Sequence, residues 1–370
     1  MIKKIKSAIQ WTLLFLLGGA GGALVAVFMP PSPLGLLAWF VVLVVGIILH
    51  VFVHEVGHLI AGKMSGYDFV SIRFFNLTFI KKDGKLIRKK FKILGTLGQC
   101  LMSPPKPIDG QYPFAFYNLG GGLMNFAFSA LFFALSFVFP ALAWMFHLLA
   151  VIGIIVGLIQ LVPIKSGGFP NDGYNALTLG KNDVARRALW SILNTNALVT
   201  RGCRLRDIPA EHFSMDDFDL SDKDNNALVA NVAVTRQAWL MDRHEFAEAK
   251  ALAESLLNTV DRMPDILKNE LRCELLFLEL IGECRKEEID RLYTEDLKKY
   301  IKAMSLYVAR QRLMYAYAKL FLHDDAEAAK ALDKFNKACL SHPVEGEIAS
   351  ERELVALVDD LATEKNNQTA

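Results

Sequence analysis

Phe52 to Gly62 reads FVHEVGHLIAG, two histidines and a glutamate at the tail of a long apolar run. In a helix, residues four apart lie about 40° from each other on one face, so His54 and His58 can reach a single metal ion. Glu55 projects beside them, toward the place where a metal-bound water would sit. The residue types suit metal-assisted hydrolysis. Neutral imidazole nitrogens suit Zn2+, an open coordination position holds water, and the metal lowers that water's pKa so that a carboxylate can take its proton. Ionisable side chains inside an apolar span are costly and rarely idle, which favours function over accident. His50 continues the same face one turn earlier. About 6 Å further up the axis it is too far away to share the metal, so cavity lining or a structural hydrogen bond is its expected role.

A hydrolytic zinc site needs a third protein ligand. The membrane half offers few: no glutamate occurs between His58 and Glu211, and the candidates in that half are Asp68, Asp83, Asp109, Asp172 and His147. His54 lies about 30 Å along the helix axis from Leu34, near the far border of its span, whereas His147 opens a later span at the opposite side. Asp172 directly follows an apolar segment, in PIKSGGFPNDGYNAL, where Pro163, Gly167, Gly168, Pro170 and Gly173 break the helix. Such a break can turn the carboxylate back into the bundle. A solvated Asn-Asp-Gly turn is the other reading of the same residues.

The elements that must position these groups are membrane helices. Of the 370 residues 53% are hydrophobic, and that excess lies almost wholly before Pro163, so the two halves of the chain differ chemically. Four apolar segments, about 8–28, 34–60, 114–139 and 142–162, each approach the about 20 residues needed to cross about 30 Å of hydrocarbon. The first also resembles a cleaved signal peptide, although its apolar stretch is long for one. Lys3, Lys4 and Lys6 precede the first span, and the connection between the second and third carries Lys81, Lys82, Lys85, Arg88, Lys89, Lys90 and Lys92. The positive-inside rule therefore places the N-terminus, this basic loop and everything after Val162 in the cytoplasm of a multi-pass cell-membrane protein. A net charge of only +2 without an arginine-rich patch argues against a nucleic-acid partner. Cys100, Cys203, Cys273, Cys284 and Cys339 are scattered without a C-x-x-C and are expected to be free thiols.

H-E-x-x-H on one apolar helix, with Asp-Gly after a proline beyond a later one, resembles the site-2 protease family of intramembrane zinc metalloproteases. Gly121-Gly122-Leu123-Met124-Asn125 is similar to that family's G-x-x-x-N. The resemblance covers about Leu34 to Leu179. It implies Zn2+ held by His54, His58 and Asp172, Glu55 as the catalytic base, and Asn125 holding or polarising the scissile carbonyl. Asn125 can equally make an interhelical hydrogen bond, and Gly120–Gly122 can serve close helix packing. The family's N-x-x-P appears here as Gln160-Leu161-Val162-Pro163, and the gap from Pro163 to Asp172 is long, which leaves the ligand's geometry less defined than its identity.

Strands are expected at about 69–98, with Lys82-Asp83-Gly84-Lys85 as a hairpin turn. A strand edge there could hold an unwound substrate extended, and the lysines could anchor the loop to lipid headgroups. From about residue 222 the chain is helical and repeats at forty residues: Leu240, Leu280 and Leu320; Ala249, Ile289 and Ala329; Leu252, Leu292 and Leu332. Stacked hairpins resembling tetratricopeptide repeats, able to bind a protein partner, are one reading, and a plain helical bundle is the other. The expected organisation is thus an α-helical polytopic membrane core with a small membrane-associated sheet over residues 1–180, a connecting segment over 181–221, and a soluble helical-repeat domain over 222–370. Two function classes follow. One is a zinc metalloendopeptidase acting on membrane-protein or signal-peptide substrates at the bilayer, and the other is a non-catalytic membrane scaffold.

Overall fold

The computed structural model describes residues 32–214 except 92, 94 and 95, residues 227–369 except 260–262, and residues 19, 22, 23, 27 and 28. The chain is mostly helical with short antiparallel β-ladders. It divides into two compact units, Met1–Phe75 with Thr96–Ser166 and Pro170–Asp183, and Asn76–Gly95 with Gly167–Phe169 and Val184–Ala370.

The first unit is built on three helices long and apolar enough to cross a membrane: α1 (Pro33–Met64), α2 (Phe114–Val138) and α3 (Ala143–Leu161). The span expected at 8–28 lies almost wholly outside the described residues. α1 begins where Pro33 sets the first helical φ and the Ser32 hydroxyl accepts the Gly35 N–H. Its 32 residues extend about 48 Å, more than one hydrocarbon thickness. The surface of α1 is inverted relative to a water-soluble helix. Leu34, Leu37, Phe40, Val41 and Val45 are exposed, whereas His50, His54, Glu55 and His58 are buried. Such a face suits lipid, and in a lipid surrounding the polar residues must be satisfied inside the bundle.

Glycines set the spacing between these helices. A Cβ on Gly120 would lie 2.5 Å from Ala61 Cβ and 2.6 Å from Gly57 O, so α1 and α2 cross with their backbones nearly touching. A Cβ on Gly157 would lie 2.7 Å from Phe126 Cε1, which makes the α2–α3 crossing similarly close.

Four strands follow α1: β1 (Asp68–Phe74), β2 (Leu77–Lys82), β3 (Lys85–Lys90) and β4 (Gly98–Ser103). Within the first unit β1 pairs antiparallel with β4, from Asp68↔Ser103 to Phe74↔Gly98, with a bulge between Phe69 and Ser71. Buried Arg73 donates to the carbonyls of Phe75 (2.8 Å), Thr96 (3.4 Å) and Gly98 (3.3 Å), which fastens the segment that leads into β4. After α3 an irregular turn leads to α4 (Asp172–Thr178).

In the second unit β2 and β3 form the expected hairpin, from Leu77↔Lys90 to Lys82↔Lys85. Asp83 (φ 50°) and Gly84 (φ 75°) are both left-handed, as a two-residue type I′ turn requires. The hairpin is tied to the helices of its own unit by Lys82 Nζ to Glu345 Oε2 at 2.7 Å and by Phe91 against the His342 ring, 5.1 Å between centroids. Those helices are α5 (Asp183–Thr200), α6 (Ala227–Asp242), α7 (Phe246–Thr259), α8 (Asp265–Ile281), α9 (Lys286–Leu292), α10 (Glu295–Ala303), α11 (Val308–Ala316), α12 (Asp325–Ser341) and α13 (Glu345–Thr369). α11 runs on as a π-helical stretch over Tyr317–Leu322.

The helix-to-helix turns after α6, α8 and α11 each use one left-handed residue: His244, Cys284 and His323. The first two are forty residues apart and the next two thirty-nine. Leu240, Leu280 and Leu320 are buried just before these turns, and Ala249 and Ile289 just after them. In the third copy the buried position is Ala328, and Ala329 is exposed, because that turn arrives one residue early. Two fully buried arginines tie α11 to its neighbours, Arg312 to α8 and α13 and Arg310 to α8. Arg312 bonds Glu351 Oε2 (2.6 Å) and Glu274 Oε2 (2.8 Å), and Arg310 bonds Glu274 Oε1 (3.1 Å). Burial pushes the Glu351 carboxyl up to about 7 against the pull of Arg312. All five cysteines are free thiols.

The backbone contact at Gly57 generates a prediction for the bundle. Gly57→Ala would drive a methyl group into the Gly120 carbonyl, and overpacking of this kind costs about 1–3 kcal/mol. The thermal midpoint of the purified protein in detergent is expected to fall, and an unchanged midpoint would show that α1 and α2 do not need this close crossing.

Candidate metal centre

The two histidines occupy successive turns of α1, and their Nε2 atoms are 3.1 Å apart. Asp172 Oδ2, from the first residue of α4, lies 3.2 Å from each of them. Among the described residues these three form a cluster able to hold a metal ion. Three ligand atoms this close repel one another unless positive charge lies between them. Tetrahedral bonds of about 2.0–2.1 Å place neighbouring ligand atoms about 3.3 Å apart, so the observed triangle fits a small ion in that geometry. The longer bonds and six to eight oxygens of a calcium site would not fit it. Burial alone raises the Asp172 carboxyl, but its attraction to His58 first, and to His54, holds it below the ordinary carboxylate range. It is therefore a carboxylate, the form that ligates.

Asn171 is what brings Asp172 back to the helices. Its side-chain oxygen accepts the N–H of Ile164 (3.1 Å) and of Tyr174 (3.0 Å), the second of these capping α4. Its amide donates to the carbonyls of Ile159 (2.9 Å) and Val162 (2.7 Å), which the end of α3 leaves without helical partners. One side chain thus joins the last turn of α3 to the first turn of α4 across the intervening loop. Gly173 allows the contact, since a Cβ there would lie 2.8 Å from Leu161 Cα and closer still to its carbonyl.

The imidazoles are held from behind. His58 Nδ1–H donates to the Tyr117 carbonyl at 2.8 Å, which leaves the Nε2 lone pair facing the triangle. Tyr117 in turn donates its hydroxyl to the Cys100 carbonyl of β4 at 2.8 Å and stacks on Tyr67, 4.7 Å between centroids. The His54 ring lies over Gly121, where a Cβ would come within 2.6 Å of Nδ1. Fully buried Asn125 is 3.4 Å from that same Nδ1, on the side of the ring away from the triangle. The Gln160 amide nitrogen comes to 3.4 Å from His54 Nε2. Glu55 is buried beside the histidines, against Gly98 of β4, where a Cβ would lie 2.7 Å from its Cγ.

The other candidate ligands lie elsewhere. Asp68 is exposed and pairs with Lys63 at 3.4 Å, Asp83 occupies the hairpin turn, and Asp109 sits in a left-handed turn (φ 50°). His147 packs its ring on Phe133, 5.7 Å between centroids. His50 donates from Nε2 to the Leu149 carbonyl at 2.9 Å, the structural hydrogen bond expected of it. Sequence reasoning did not single out Asn171, Tyr117, Arg73 or Gly98. Asn171 alone carried a local signal, the preference of asparagine for the residue that opens a helix.

This construction predicts a graded response to substitution. Asp172→Ala should remove bound zinc from the purified protein. Asn171→Ala, which frees the returning loop without touching a ligand, should weaken zinc binding about 10–100-fold, the usual effect of losing a ligand's supporting hydrogen bonds. Asp109→Ala should leave it unchanged, and zinc loss in that variant would move the third ligand to the segment before α2. Comparison of the chain with protein-family models, curated proteins and solved structures gives no match.

Proposed function

We propose that this protein is an intramembrane zinc metalloprotease similar in kind to the site-2 proteases, cleaving protein segments within or beside the bilayer. The observation that carries this reading is the triangle of His54 Nε2, His58 Nε2 and Asp172 Oδ2 next to Glu55, on helices of membrane-spanning length. Two imidazoles and one carboxylate form a zinc ligand set with one position left for water or substrate. When bound, zinc supplies a Lewis acid that polarises the scissile carbonyl and acidifies the attacking water. Glu55 accepts a proton from that water as its oxygen adds to the carbonyl carbon, and delivers it to the departing amide nitrogen as the C–N bond breaks. Gly98 lets β4 approach the Glu55 side chain, so a substrate segment drawn out alongside β4 would present its carbonyls there.

The rest of the assignment follows from charge and pattern. The basic connection between α1 and α2 and the helical unit lie in the cytoplasm, a fourth span precedes α1, and the lysines of β2 and β3 meet anionic lipid headgroups. The helical hairpins at near forty-residue spacing are tetratricopeptide-like and recruit a protein partner or substrate. A non-catalytic scaffold would have no use for a buried acid beside the two histidines, and the intact Glu55 speaks for the enzyme.

Two measurements test this function. Glu55→Gln should retain zinc and fold yet reduce cleavage of a membrane-spanning reporter by at least about 10²–10⁴-fold, because glutamine binds water without accepting its proton. Undiminished proteolysis would remove the assigned mechanism. For orientation, a cysteine introduced by Ser32→Cys should react with an impermeant thiol reagent in intact cells, whereas Cys284 should react only once the membrane is opened. Labelling of Cys284 from outside would invert the topology.

A further inference from the structure

We propose that His50, Asn125 and His54 form one hydrogen-bonded chain that fixes His54 in the tautomer able to ligate metal, with His50 and Asn125 as positioning residues. The inference rests on the metal site described above and gives a role to the third histidine of α1, which no step of the hydrolysis uses.

The chain is determined from its outer end. His50 Nε2 lies 2.9 Å from the Leu149 carbonyl, and a carbonyl can only accept, so Nε2 carries the proton. His50 is completely buried among apolar side chains, with the Phe132 ring edge-on at 5.9 Å, which favours the neutral imidazole. A neutral ring protonated at Nε2 has a bare lone pair on Nδ1, and that atom is sealed from solvent with no partner of its own. The Asn125 carboxamide lies 3.4 Å from His54 Nδ1 and neighbours the His50 ring. Asn125 Oδ1 is likewise sealed and without a partner. The two ends of a carboxamide have nearly the same shape, so their orientation follows from the hydrogen bonds they make. The proposed chain gives both sealed atoms a partner. Asn125 Nδ2–H donates to His50 Nδ1, Asn125 Oδ1 accepts from His54 Nδ1–H, and the His54 Nε2 lone pair is left facing His58 and Asp172. An unsatisfied buried polar atom is costly, so the chain selects this tautomer by stabilising both sealed atoms together.

The surroundings hold the chain in place. A Cβ on Gly153 would lie 2.7 Å from His50 Nε2, so α3 can receive the ring only at a glycine. Ser129 donates to the Asn125 carbonyl at 2.8 Å, one turn further along α2. The imidazole of His54 is thus supported through a side chain of α2 and a carbonyl of α3, as that of His58 is supported through the Tyr117 carbonyl. Metal-ligating histidines commonly fix their tautomer through the second ring nitrogen, and here the anchoring group is relayed through a carboxamide to another histidine.

The experiment uses the full-length protein in detergent, with ¹⁵N-histidine NMR for tautomers and chelator competition for zinc affinity. In the unsubstituted protein His50 should carry its proton on Nε2 alone, and His54 should carry one on Nδ1, both metal-free and zinc-loaded. Asn125→Leu should abolish the His54 Nδ1 signature and lower zinc affinity about 10–100-fold. His50→Phe should also lower affinity, and the double variant should fall no further than Asn125→Leu alone, since both changes break one chain. A His50 proton on Nδ1, or losses that add independently in the double variant, would overturn the proposal. If the tautomers are as stated but zinc does not bind, the metal reading fails while the chain stands. If zinc binding depends on Asp172 yet ignores Asn125 and His50, the chain fails while the metal reading stands.

Discussion

Two imidazoles and a carboxylate packed within 3.2 Å of one another, at the end of a helix whose exposed surface is apolar, make up the constraint to which the first unit answers. Hydrocarbon offers such groups no water, so each polar atom must find its partner inside the bundle. The Asn171 bridge, the Tyr117 carbonyl and the buried Asn125 are three solutions to that one demand, the first supplied by the turn between α3 and α4 and the other two by α2. The carboxylate is the hardest group to place, because it comes from outside the spans. The chain breaks α3, caps a short helix and lets Gly173 ride against the Leu161 backbone so that Asp172 can return.

Close approach is the means by which the demand is met. At Gly57 and Gly120 a missing side chain brings α1 and α2 nearly to backbone contact, while at Gly98, Gly121 and Gly153 it opens the space that a buried polar side chain fills: Glu55, His54 and His50. In lipid there is no hydrophobic drive between helices, so packing contacts and internal hydrogen bonds carry the association. The same glycines therefore serve the packing of the bundle and the shape of its site. A methyl group at Gly121 would strain the helix crossing and displace the His54 ring together.

The second unit solves a different problem with the same side-chain chemistry. Its buried arginines are matched by Glu270, Glu274 and Glu351, and Arg312 lies 3.8 Å over the Phe277 ring. Removing one partner from such a cluster leaves a buried charge uncompensated and is costly. Arg204 is likewise shared between Asp242 and Glu353 at the start of the unit.

Much of this was legible in the residues alone. H-E-x-x-H put two imidazoles and a carboxyl side by side because helical spacing is a local property, and the apolar runs specified α1, α2 and α3 because spanning length is a matter of composition. Asp83-Gly84 specified the hairpin turn because few residues tolerate two successive left-handed conformations. The strict forty-residue repeat slipped by one at Ala329, since a one-residue change in a turn is invisible to a periodic count. Asp172 could be named from chain order, but that it meets both imidazoles depends on where α3 stops and how Asn171 closes the loop. The supporting carbonyls of Tyr117 and Leu149 could not be named at all, because every residue has a carbonyl and only the packing of three helices decides which one faces a histidine. The sequence determined which groups can do the chemistry; their mutual distances, tautomers and partners came from non-local contacts, which no short stretch of chain encodes.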